Sequence, residues 1–190
     1  QLTAARRRQL HERLALAMER AGLGELTPHA LVRHARAAGR DALAATYAQA
    51  AARRAVAALA FDQAAAYFAE AIELGTHDAA ALRGLQLERA TALMHAGRGP
   101  EAATTFMLAA QGAEPAVRLD CQRQAAEQWI ITGHLQQGMA ALRSSLDDIG
   151  EPPAGSPRRA LVRVLWHRAR LRLRGTDAAP RLESQVPVET

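Results

Sequence analysis

The chain has 190 residues, 49% of them hydrophobic but only 4% aromatic, with a net charge of +5; 46 alanines and 24 leucines carry the apolar content, enough for a buried core. Alanine is the best helix former and strand-favouring β-branched residues are scarce, so an all-α protein is expected and a sandwich, a barrel or a doubly wound sheet is not. No apolar run approaches the roughly 20 residues of a bilayer crossing, no signal peptide opens the chain, and the single Cys121 allows no internal disulfide, which together lead to the expectation of a cytoplasmic protein.

Helical periodicity and chain breakers predict nine helices, at 3–21, 27–38, 41–58, 61–74, 78–96, 99–112, 115–132, 135–148 and 157–174. The breaks fall at Gly22 and Gly24, Gly39, Gly75, Gly97 to Pro100, Gly112, Gly133 and Gly150 to Pro157, with Pro28 and Pro115 at helix starts. Proline costs little in a first helical turn, because its missing N–H would have no partner there. Short connections between helices of this length force neighbours to run antiparallel, which gives a string of helical hairpins.

A spacing recurs along that string. Small, large and small residues fall at Ala64, Phe68 and Ala71, again at Ala102, Phe106 and Ala109, and again at Gly138, Leu142 and Ser145. Twelve residues before each first member stands a small residue in the preceding helix: Ala52, Ala90 and Ala126. Small side chains on both helices of a pair let the axes approach closely, and the large residue fills the groove between pairs. The expected architecture is an α-solenoid of antiparallel hairpins. It divides into a connector helix at 1–26, hairpins at 27–150, a basic helix of an incomplete next unit at 151–175 and a flexible tail at 176–190.

The arrangement from Asp41 to Asp148 resembles the tetratricopeptide (TPR) repeat, with Leu82 to Gln111 as the most similar unit. It departs from that family where a tryptophan is usual, at Ala48, Gln86 and Gln122, and in a late proline that is missing or displaced to Pro115. A longer likeness rests on the runs LHERLALAME, ALAFDQAAAYFAEAIEL, AAEQWIITGHLQQGMAALRSSL and SPRRALVRVLWHRARLRLRG. They resemble the C-terminal helical region of large bacterial signalling proteins in which a serine/threonine kinase domain and a STAND or AAA-type ATPase module precede TPR-like repeats. A bacterial source also fits 24 basic residues that are all arginine, with no lysine or asparagine, as a GC-rich genome would give. Since the chain begins at Gln1, it is expected to be a piece of such a protein, with Leu10 to Ala21 as the connector from the ATPase module. The TPR resemblance implies that Gln49, Arg53, Leu87, Thr91, His95, Arg123 and Glu127 face a concave surface. The partner it implies is a protein or peptide, including other domains of the same polypeptide, with homo-oligomers through the terminal helices as a further possibility.

Catalytic motifs are missing from the sequence. A phosphate-binding P-loop needs a lysine, the kinase set needs lysine and asparagine, and neither residue type occurs. His11-Glu12 lacks the second histidine of a zinc-protease motif, since Ala15 stands there. The other histidines have no metal-ligand spacing with Cys121 or with neighbouring carboxylates. No cofactor, no metal and no enzymatic activity are expected. Glu70 and Glu73, and Asp147 and Asp148, read as solvated charge, although Asp147 and Asp148 are also placed to receive an arginine from the next helix. Cys121 reads as a small buried residue, with a thiol of lowered pKa beside a helix start as the alternative.

Charge is segregated: residues 1–60 carry +6, residues 61–150 carry −5 and residues 151–190 carry +4. Such segregation favours electrostatic docking. The last helix is extreme, with Arg163, His167, Arg170 and Arg174 on one face and Leu161, Leu165 and Trp166 toward the other. A protein-interaction or regulatory segment is therefore the expected function. The alternative is a nucleic-acid-binding helical module that uses the arginine-rich ends, for which only Trp166 supplies a nearby stacking aromatic.

Overall fold

The computed structural model describes residues 3–148, 150 and 156–174, and among them every regular element is an α-helix. The order is α1 (Ala4–Arg20), α2 (Leu23–Leu26), α3 (Pro28–Ala37), α4 (Asp41–Ala57), α5 (Phe61–Leu74), α6 (Ala79–His95), α7 (Gly99–Ala110), α8 (Pro115–Ile131), α9 (Leu135–Asp148) and α10 (Pro157–Arg174). The all-α expectation holds. The element beyond the nine expected is α2, a single turn in a stretch expected to be a break. Its end is closed by the Thr27 side chain and backbone N–H, both donating to the Leu23 carbonyl, before Pro28 opens α3.

The helices up to residue 149 form one compact unit and residues 150–190 another. In the first unit the principal packing follows chain order: α3 on α4, α4 on α5, and so on to α8 on α9, with α1 lying on α3 across the short α2. α1 therefore belongs to the same unit as α2 to α9. The tail at 176–190 lies outside the described residues.

Four of the connections share one turn. After α3, α4, α6 and α8 a left-handed residue is followed by a backbone N–H that donates back into the last helical turn: Arg40 to Ala35, Ala60 to Ala55, Arg98 to Leu93 and His134 to Trp129, at 2.7–2.9 Å. Such a turn satisfies carbonyls left open at a helix C-terminus. Three of the left-handed positions are glycine, at Gly39, Gly97 and Gly133, and the fourth is Leu59, with φ 59°.

The small residues picked out by spacing are the ones that pack. Ala52 and Ala64, and Ala90 and Ala102, are fully buried on adjacent helices; Ala126 is fully buried and Gly138 opposite it is also buried. Phe68 and Phe106 are 1% exposed and belong to one continuous apolar cluster that runs through α4, α5, α6, α7 and α8. An alanine side chain loses no rotamer freedom on burial, so these close contacts form at little entropic cost, while the two phenylalanines are the largest fully buried side chains. In α9 the large position is Leu142, which is only half-buried, and Ser145 is buried with its hydroxyl donating to the Ala141 carbonyl.

Candidate functional site

An apolar groove lies on α4, α5 and α6. Its volume is about 450 Å³, and it is walled by Arg53 and Val56 from α4, Phe61 and Phe68 from α5, and Leu87, Thr91 and His95 from α6. Leu87, Thr91 and His95 follow one another at four-residue steps, so one stripe of α6 forms a whole wall. Arg53 closes one side by gripping Glu88 with both ends of its fork: Nη2 to Oε1 at 3.1 Å and Nε to Oε2 at 3.3 Å. This two-point geometry fixes the direction of the guanidinium more firmly than a single contact would. The His95 ring lies on Phe61, with centroids 4.9 Å apart and planes inclined at 30°. Thr91 donates its hydroxyl to the Leu87 carbonyl at 2.9 Å, leaving its methyl for the groove.

The structure thus brings together Arg53, Leu87, Thr91 and His95. Gln49 is half-buried one turn earlier on α4 and does not line the groove. Arg123 and Glu127 are exposed on α8 and satisfy each other at 3.3 Å, while Asp120 takes the other end of Arg123 at 2.8 Å. The hydrogen bonds from Arg123 to Asp120 push the guanidinium pKa up, which holds it charged. Val56, Phe61, Glu88 and Ala92 are the lining residues that spacing did not single out. Phe61 is the first residue of α5 and stands two turns before Phe68, so it shares the face of Phe68.

Several other expectations resolve differently in space. Asp148 accepts from Arg118 Nε at 3.1 Å and from Gln122 Nε2 at 3.0 Å, so its arginine comes from the preceding helix α8 instead of the next one. Gln122 is buried, and this is how its amide N–H is satisfied. Glu70 is paired with Arg36 across α3 and α5 at 2.8 Å and is only 18% exposed, so it is not simply solvated. Cys121 is 1% exposed, and burial together with Asp120 pushes its thiol pKa up. That is the opposite of an activated nucleophile.

Between α1 and α3, His11 and His34 meet through their Nδ1 atoms at 2.8 Å, with ring centroids 5.0 Å apart. Sequence spacing gives no hint of this contact, because the two residues lie on different helices. Burial, His11 and Arg33 all hold the His34 pKa below the ordinary imidazole range.

In the second unit, His167 and Arg170 are exposed on α10 and Arg163 is partly covered; the Arg174 side chain lies outside the described residues. Leu161, Leu165 and Trp166 are 55–67% exposed. Among the described residues no helix is long and apolar enough to cross a membrane. No group of three or more His, Cys, Asp or Glu is placed to hold a metal ion among them. No family model, curated protein or solved structure matches the chain.

Proposed function

We propose that this chain is a TPR-like stack of helical hairpins that works by binding, as the regulatory or interaction segment of a larger signalling protein, and that the groove on α4, α5 and α6 receives a segment of a protein partner. The observation that carries this reading is the groove itself, in which Arg53, Leu87, Thr91 and His95 are gathered from two helices. The full burial of Ala52, Ala64, Ala90 and Ala102 at the recurring small positions supports the hairpin stack. An apolar floor with a few oriented polar groups at the rim suits side chains of a peptide, with Val56, Phe61 and Leu87 offering apolar contact and His95 and Arg53 fixing direction.

The test is capture of a partner from a bacterial lysate by the intact chain and by Leu87→Arg, at low and high salt and with nuclease added. Leu87 is half-buried and also packs against the core, so the charge that the variant places on the groove wall is read only with a far-UV circular dichroism spectrum matching that of the intact chain. A discrete protein that survives nuclease and is lost in Leu87→Arg supports the proposal. Capture that vanishes with nuclease, or that Leu87→Arg leaves intact, overturns it.

A further inference from the structure

A second groove, on the opposite chemistry, lies between α1 and α3. Its walls are Arg7, Arg8 and His11 from α1 and Arg36 from α3, with the small residues Ala4, Ala37 and Gly39 completing it, and its volume is about 390 Å³. Three guanidinium groups and an imidazole thus line one open cleft without a carboxylate among the wall residues.

The cations are held there by different means. Arg8 donates from Nε to the Ala38 carbonyl at 2.9 Å, and its guanidinium lies so close over Gly39 that a side chain at that position would collide with it. Gly39 has φ +72°, so the turn that ends α3 also provides the floor on which Arg8 rests. Arg36 is directed by one contact, Nη1 to Glu70 at 2.8 Å, which leaves the other end of the fork uncommitted to that carboxylate. His11 is oriented by its Nδ1 contact to His34, so only Nε2 remains for anything in the cleft. Arg7 makes no ion pair among the described residues. The nearest acid on α1, Glu12, is engaged by Arg40 at 3.0 Å.

Like charges gathered in this way repel one another unless an anion offsets them, and a cleft lined by one sign of charge concentrates the opposite sign. The donors come from two helices and from more than one direction. A planar carboxylate presents one edge to one fork, whereas a tetrahedral dianion presents oxygens to several guanidinium groups at once. We propose that this α1–α3 cleft, walled by Arg7, Arg8, His11 and Arg36, binds a phosphate dianion.

The probes are inorganic phosphate and sulfate, with acetate as the planar control, added to the isotopically labelled full chain at constant ionic strength while backbone amide resonances are followed. Phosphate and sulfate should shift the resonances of residues 4–12 and 36–39 saturably, and acetate should not. Arg7→Gln, which removes no contact from the fold, should weaken phosphate binding about tenfold, the loss expected for one charge-assisted hydrogen bond. Arg170→Gln on α10 should leave the affinity unchanged. A phosphoserine peptide binding more tightly than inorganic phosphate identifies a protein-borne phosphate, and the reverse order identifies a free one; either supports the site. Equal shifts with acetate, shifts that grow without saturating, or an Arg7→Gln affinity equal to that of the parent chain would overturn it. None of these outcomes depends on the groove of α4, α5 and α6.

Discussion

Replacing Phe106 by alanine tests the packing register most directly. Phe106 is 1% exposed and sits in the cluster that joins α4 to α8. A buried aromatic covers on the order of 150 Å² or more, which at about 25 cal/mol per Å² corresponds to about 4 kcal/mol of transfer free energy. The remaining methyl retains part of that, and the cavity left between fixed helices adds to the loss, so about 3–5 kcal/mol is expected. With a urea dependence of about 2 kcal/mol per molar, the midpoint should fall by about 2 M as followed by far-UV circular dichroism. The half-buried Phe61 provides the comparison: Phe61→Ala should shift the midpoint clearly less. A Phe106→Ala midpoint equal to that of the parent chain, with an unchanged slope, would refute the assignment of this position to the core.

Three further outcomes are expected. Leu59→Gly should raise the urea midpoint by an amount equivalent to about 0.5–1 kcal/mol. A left-handed leucine costs roughly 1–2 kcal/mol, the extra chain entropy of glycine returns part of that, and a side chain 73% exposed loses little burial; a lowered midpoint would contradict a left-handed Leu59. Cys121 should resist thiol reagents at neutral pH in the folded chain and react at once in denaturant, because burial raises its pKa and hides the sulfur; prompt labelling under native conditions would contradict its placement. His34 is held below the ordinary imidazole range, so the fold favours its neutral form and binds fewer protons than the unfolded chain. Its contribution to stability is present above about pH 6.5 and is lost as the pH falls through the lowered folded value. The melting temperature should therefore drop on the acid side, less steeply in His34→Gln than in the parent chain, and parallel acid limbs would count against the burial of His34 beside His11.

What the sequence made legible depends on how far apart the interacting residues are. Small residues at Ala52, Ala64, Ala90 and Ala102 reveal a helix pair because their spacing lies within one hairpin. The stripe Leu87, Thr91 and His95 is legible for the same reason, being one face of one helix. Asp120, Arg123 and Glu127 stand at three- and four-residue steps on α8, so their mutual pairing is also one that helical spacing carries. His11 with His34, and Arg118 with Asp148, are contacts between helices, and nothing in a periodicity specifies which residues meet across them. The extra turn α2 escaped because its four residues are too few to show a period, and glycines on either side of Leu23 looked like a plain break.

The packing of each helix mainly on its chain neighbours bears on how the molecule is made. Contacts between residues close in sequence require little loop closure, which speeds folding. They also let a hairpin complete itself before the next has been synthesised, so α4 and α5 can bury Ala52 and Ala64 while α8 is still inside the ribosome. Phe106 arrives later and meets a surface already built. The order of translation is thus also an order in which the core can be filled, without waiting for a distant partner.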